Sequence, residues 1–170
     1  LSSSDHQMIT VSEELEFLRA YLEIEAMRFD DRLSVSFDID AAATNETVPS
    51  LILQPVVENA LKHGLARKVG PGALRIIARR EAGFLRLTVE DDGPGFTTGA
   101  PVDLASVETN HAGSQPFQMG KLNGNGVGLR NINERLATTY SGQAKILFEH
   151  GAGGGSRVTM LLPCGAPNAT

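Results

Sequence analysis

The 170-residue chain has one cysteine, Cys164, no tryptophan, two tyrosines and seven phenylalanines. A lone cysteine excludes an internal disulfide framework and any multi-cysteine zinc site. So few aromatics leave little for base stacking, and nucleic acid is not an expected partner. No apolar run approaches the ~18–20 residues of a membrane span, and no charged start leads into an apolar core as in a signal peptide. With 41% hydrophobic and 21% charged residues, the composition excludes disorder, collagen and fibre. A cytosolic domain, alone or with a small appendage, is the expectation at ~100–200 residues per domain.

Charge is unevenly spread. Residues 1–60 hold 12 acids and 3 bases, whereas residues 61–170 hold 8 acids and 12 bases. An acidic lead followed by a mildly basic body suits a small anionic ligand better than a long polyanion.

Residues 1–12 are polar and expected to fray. Ser12, followed by Glu13 and Glu14, reads as an N-cap with acids in the first helical turn. Leu15, Leu18, Leu22, Ala26 and Phe29 form a helical stripe, predicting a helix over 12–29. Phe17, Tyr21 and Ile24 form a second stripe, which either packs on the same domain or meets another helix. Period-two alternation over 33–39 predicts a strand, and 40–48 a loop. Pro49 is expected to start a second helix over 50–63, closed by Gly64. Strands at 73–81 and 84–91 read as a hairpin across Ala82-Gly83. A helix at 127–140 and strands at 143–149 and 156–162, turned by GAGGG (151–155), complete an α/β order. Residues 97–123 lack periodicity, as a functional lid or a disordered insert would.

Three blocks carry chemistry. In Glu58-Asn59-Ala60-Leu61-Lys62-His63-Gly64, helical spacing puts Asn59, Lys62 and His63 on one side. An amide oxygen can ligate Mg²⁺, and Lys and His can meet phosphate oxygens; an ordinary polar helix face is the bland alternative. In Asp91-Asp92-Gly93-Pro94-Gly95-Phe96, a carboxylate at a strand end can accept from an exocyclic amine, with glycines allowing close approach; a plain surface turn is the alternative. In Gly124-Asn125-Gly126-Val127-Gly128-Leu129, glycines expose backbone N–H groups at a helix start, an anion site. That block is neither a dinucleotide fingerprint nor a P-loop. Each block alone is weak, but their order together is specific.

On these blocks, with LILQPVVENALKHG, RAYLEIEAMRFDDRL and GVGLRNINERL around them, the chain resembles the ATP-binding catalytic domain of LytS-type sensor histidine kinases, within the gyrase, Hsp90, histidine kinase and MutL ATPases. The resemblance spans about residues 12–163. It implies an α/β (α+β) two-layer sandwich of the Bergerat type, a mixed five-stranded sheet packed by about three helices with a long ATP lid. Residues 1–30 would be a lead helix, the tail of an upstream dimerisation and phosphoacceptor region, and 31–170 the ATP domain, with the lid at about 97–123. Asn59 sits at the Mg²⁺ asparagine, Lys62 and His63 face phosphate or nucleotide, and Asp91 falls at the adenine-binding aspartate. Gly93 and Gly95 match the turn after it. Lys121, Gly124, Gly126, Val127, Gly128 and Leu129 match the lid and phosphate loop, and Gly155-Ser156 stands where Gly-Thr is common. Glu58 and Lys62 are the candidate catalytic residues.

The implied cofactors are ATP and Mg²⁺. The implied partners are a phosphoacceptor histidine helix, a response regulator and a second copy in the full-length kinase. The implied setting is the cytoplasmic part of a membrane-anchored protein. Pro55 stands where many relatives place a polar or acidic residue, which argues against a water-activating hydrolase. None of His6, His63, His111 and His150 fits a phosphoacceptor motif, so the chain is expected to lack its own acceptor. A nucleotide-sensing module without turnover and an anti-sigma-type serine kinase are the alternatives.

Overall fold

A computed structural model describes residues 7–95, 102–103, 127–151 and 153–165. The expected lid, apart from residues 102–103, and Phe96, Lys121, Gly124 and Gly126 lie outside the described residues.

The chain enters through a short strand β1 (Met8–Thr10) and a helix α1 (Val11–Arg28). β1 pairs antiparallel with β3 (Thr47–Pro49). Residues 8–12 are therefore held rather than frayed, and Pro49 ends a strand instead of starting a helix. Three-residue strands are too short to show a period. The N-cap of α1 is Thr10, not Ser12. Thr10 Oγ1 accepts from Glu13 N–H at 3.2 Å, and Glu13 Oε2 accepts from Thr10 N–H at 2.8 Å. This reciprocal capping box satisfies two groups that a helix start otherwise leaves to solvent.

The main sheet runs β2 (Leu33–Ile39), β4 (Gly72–Glu81), β5 (Phe84–Asp91), β8 (Ser156–Pro163), β7 (Lys145–His150) and β6 (Val102–Asp103). β2 and β4 are parallel and the other pairs antiparallel, which makes the sheet mixed as expected. Five long strands form it, and the two-residue β6 extends one edge. Ala82 (φ 48°) and Gly83 (φ 83°) close the β4–β5 hairpin, both left-handed as a two-residue turn requires.

Alternation along each strand sends one set of side chains to a shared core. Leu74, Ile76 and Ala78 of β4, Leu85, Leu87 and Val89 of β5, and Val158, Met160 and Leu162 of β8 are all buried there. Leu15, Leu18 and Leu22 of α1, Val56 and Val57 of α2 (Gln54–Asn59), and Leu129, Ile132 and Leu136 of α3 (Val127–Thr139) cover that face. The result is a two-layer sandwich, with one apolar sheet face packed by helices. The other face carries ion pairs: Arg75 and Arg79 reach Asp38 at 2.6 and 2.5 Å, and Arg157 reaches Glu90 at 2.7 Å.

The second stripe of α1 divides. Tyr21 packs against the core, while Phe17 and Ile24 are 56% and 59% exposed. The lead helix thus shares the main core through one stripe and Tyr21, and leaves Phe17 and Ile24 exposed.

The second helix starts at Gln54 rather than residue 50. Leu51 adopts φ 57°, a left-handed conformation uncommon for a branched side chain, so residues 50–53 turn before the helix begins. Pro55 lies in the first helical turn, where its missing N–H costs nothing. After Asn59 the helix widens into a π segment, Ala60–Gly64, and ends in a 3₁₀ turn, Leu65–Arg67.

Candidate functional site

β5 delivers Asp91 to the end of the sheet, 6% exposed. Its two carboxylate oxygens have separate partners. Oδ1 accepts from Gly93 N–H at 2.9 Å, and Oδ2 accepts from the Ser156 hydroxyl in a short hydrogen bond. Ser156 is itself buried, at the start of β8 opposite Asp91 in register. Burial pushes the Asp91 carboxyl above its usual range, and the Ser156 and Gly93 hydrogen bonds pull it back only in part. Each oxygen keeps a lone pair for a further donor.

The backbone closes tightly around this carboxylate. A Cβ on Gly64 would lie 2.5 Å from Asp91 Oδ1, and one on Gly93 would lie 2.6–2.7 Å from the Gly64 backbone. A Cβ on Gly155 would overlap the Asp91 carbonyl oxygen. Glycine at 64, 93 and 155 is what lets helix, turn and hairpin approach so closely. Gly95, at φ 76°, completes the turn against the 151–155 hairpin.

Asp92 does different work. Its Oδ1 accepts from Ala73 N–H at 2.7 Å and its Oδ2 pairs with Lys68 Nζ at 2.6 Å, stapling the turn after Arg67 to the start of β4. Partial burial pushes its carboxyl up, but the Ala73 N–H and the Lys68 ammonium more than offset this and leave it below the usual range.

The α2 segment stands across from Asp91 through Gly64. Asn59 and His63 are half-buried and Lys62 is exposed. His63 Nδ1 is buried with no hydrogen-bond partner. Burial lowers the His63 pKa, and the neighbouring Arg67 and Lys62 charges lower it further. The His63 Nδ1 atom is thus a buried polar atom whose hydrogen-bonding capacity the described residues leave unused. Glu58 accepts from Gln54 Nε2 at 3.0 Å.

α3 begins at Val127-Gly128, directly after the glycine-rich loop. Leu129, expected among the cofactor-binding residues, buries its side chain in the core at 3% exposure. Of the expected residues, the fold brings Asp91, Gly93, Gly95, Gly155 and Ser156 to one end of the sheet, with Gly64 of the α2 segment packed on Asp91.

Sequence reasoning missed Glu14, Gly64 as a close-approach residue, and Arg135. Glu14 is 2% exposed, and its carboxylate accepts from Leu51 N–H at 2.7 Å and Leu53 N–H at 2.8 Å. Its signal was positional: it lies four residues before Leu18 and eight before Leu22, an acid inside an apolar stripe.

A buried acid at a strand end, boxed by glycines and packed by Gly64 of the α2 segment, lies within a mixed sheet covered by helices on one face. The sequence profile "Histidine kinase-, DNA gyrase B-, and HSP90-like ATPase" matches residues 44–166, and the chain belongs to that family. It is the kind of ATP-binding domain that sensor histidine kinases carry. A second profile, "Histidine kinase", matches residues 1–33. The sensor histidine kinase YesM of Bacillus subtilis (strain 168) is 32% identical over 157 residues, covering 92% of this chain and 24% of that protein. The sensor protein LytS of Oceanobacillus iheyensis is also 32% identical, over 163 residues, covering 96% of this chain and 26% of that protein. The chain therefore spans about a quarter of the length of these two relatives. The catalytic domain of histidine kinase ThkA superposes with TM-score 0.61 at 14% identity, covering 92% of this chain and 95% of that one. No helix among the described residues is long and apolar enough to cross a membrane.

Proposed function

We propose that this chain is the Mg–ATP-binding catalytic domain of a two-component sensor histidine kinase and hands the γ-phosphoryl group to a histidine on another segment. The carrying observation is Asp91. Its buried carboxylate is oriented by Ser156 and Gly93 and given room by the missing side chain of Gly64, which suits it to accept from the adenine amine. Guanine carries a carbonyl acceptor at that position, which a carboxylate repels.

The residues present fit both cofactors. Asn59 offers an amide oxygen to Mg²⁺, a hard cation that takes oxygen ligands. When bound, Mg²⁺ neutralises charge on the phosphates. His63 Nδ1, buried and unpaired, meets a phosphate oxygen, and Lys62 adds positive charge from the next position. Glu58 stands beside Asn59 as the acid able to orient a water in the metal's shell. The α3 start at Val127-Gly128 presents backbone N–H groups to the phosphates.

The acceptor imidazole attacks the γ-phosphorus with a ring-nitrogen lone pair. The P–N bond forms as the P–O bond to the β-phosphate breaks, ADP leaves with that electron pair, and the second ring nitrogen releases its proton. The chain's part is positioning and charge neutralisation, as in phosphoryl transfer generally, so no Ser or Cys nucleophile is needed. In the full-length protein, the cytoplasmic part of a membrane-anchored kinase, the acceptor helix, a second copy and a downstream response regulator are the partners.

The test is to mix the chain with γ-labelled ATP, Mg²⁺ and a separately expressed acceptor-helix segment of its kinase. Acid-labile label on the segment's histidine is the expected result. Nucleotide binding without any transfer would replace the kinase reading by a sensing module, and acid-stable label on serine by a serine kinase.

A further inference from the structure

The two ends of the α2 segment are held by different parts of the molecule. Its far end is fixed by the sheet, because Gly64 packs against Asp91 and Gly93 with no room for a Cβ. Its near end, the turn 50–53, is fixed by neighbours distant in sequence. Glu14 of α1 accepts from both Leu51 and Leu53 N–H. Arg135 of α3 donates from Nη2 to Ser50 O at 2.6 Å. Ser50 N–H donates to Gln7 O at 2.9 Å, just ahead of β1.

The turn is not one the local sequence prefers. Leu51 sits at φ 57°, a left-handed backbone conformation that a non-glycine residue adopts only under strain. Such a turn persists only when its surroundings over-determine it, and the two oxygens of Glu14 accept from two of its N–H groups, Leu51 and Leu53. A negative charge ahead of a helix start is also favourable.

Between the two anchors lies the π segment Ala60–Gly64, in which Leu65 N–H is shared between the Ala60 and Leu61 carbonyls. A π turn carries one extra residue, so it is where a helix takes up a mismatch between its ends. Asn59 lies on the Glu14 side of this segment and Gly64 on the Asp91 side.

We infer that Glu14 is a positioning residue that sets the metal-facing end of the site, at Asn59, from α1, independently of the adenine-facing end, which the sheet sets. This rests on the reading of Asp91 and Asn59 as adenine and Mg²⁺ contacts. A displacement of the lead helix then reaches Asn59 through Leu51 and Leu53, and the π segment keeps it from Asp91. Arg135 acts on the same turn from α3, the helix that follows the glycine-rich loop.

The test is calorimetric titration of adenosine and of Mg–ATP into the wild-type chain, Glu14→Gln and Arg135→Lys, with thermal melts alongside. Gln offers one acceptor oxygen where two N–H groups need satisfying, and Lys keeps the charge but loses the guanidinium fork. In each variant adenosine affinity should stay within about two-fold, while Mg–ATP affinity falls about ten-fold or more. The second variant carries the test if the first does not fold. Equal weakening of both ligands alongside a lower Tm would overturn the inference, as a merely structural role predicts. Unchanged affinities for both ligands would overturn it too. A folded wild-type chain that binds neither adenosine nor Mg–ATP would be a different failure, removing the nucleotide site itself.

Discussion

The two sides of the site are built to different standards. On the sheet side both acids are held: Asp91 by Ser156 and Gly93, and Asp92 by Ala73 and Lys68. On the helix side Lys62 is exposed and His63 Nδ1 is buried without a partner. The sheet side needs no ligand to be complete, whereas the helix side leaves polar capacity for phosphate and metal to fill. On the proposed function, adenine recognition would be pre-organised and the cost of ordering on binding would fall on the phosphate end.

The sharpest way to break this contrast is to disturb the packed side. Gly155→Ala drives a methyl group into the Asp91 backbone, which has nowhere to move. Overpacking against backbone costs about 3 kcal/mol, or roughly 6–12 °C of Tm in a domain of this size. A melt should show that loss together with the loss of adenine-nucleotide binding. An unchanged melt would mean the two strands are held less rigidly than the packing implies.

Asp91→Asn should separate binding from folding. It removes a carboxylate that burial already disfavours, so Tm should hold or rise. ATP affinity should fall about ten-fold or more, because the amide is a weaker acceptor for the amine. Equal loss of Tm and affinity would make Asp91 a structural residue.

Asn59→Ala probes the open side. Melting should barely move, while the gain in ATP affinity that Mg²⁺ provides should shrink by several-fold. Titrations with and without Mg²⁺ measure it, and an unchanged gain would remove Asn59 from the metal site.

The smallest effect is in pH. Burial raises the Asp91 carboxyl, so its stability contribution is complete below the ordinary value of about 4 and is lost as pH rises through the raised one. Asp38 on the outer face has the opposite sign. Hydrogen bonds from Arg79 and Arg75 lower it, so its contribution is present above the ordinary value and lost as pH falls through the lowered one. Melting curves across acid pH should flatten in opposite directions for Asp91→Asn and Asp38→Asn. Flattening in the same direction would contradict both assignments.

What the sequence announced was whatever has a period or a motif. The 33–39 strand, the hairpin at 82–83 and both long helices follow from alternation, helical stripes and turn chemistry. The placement of Asp91 at a strand end, with Gly93 and Gly95 in the turn after it, was legible from the D-D-G-P-G block, while the close approach of Gly64 was not. β1 and β3 were illegible because three residues carry no period. Thr10-x-x-Glu13 was legible as a capping box, and the Ser12 reading passed over it. The start of α2 at Gln54 was hidden because it depends on Glu14, some 39 residues away in the chain. The burial of Leu129, in a loop-to-helix block read for its glycines, depends on α3 packing against the sheet.

An adenine-specific nucleotide site at Asp91 is tested most directly by calorimetric titration of ATP and GTP into the chain, with and without Mg²⁺. ATP should bind in the micromolar range and tighten with Mg²⁺, and GTP should bind far more weakly. GTP binding as tightly as ATP, or a folded chain that binds neither, would contradict it.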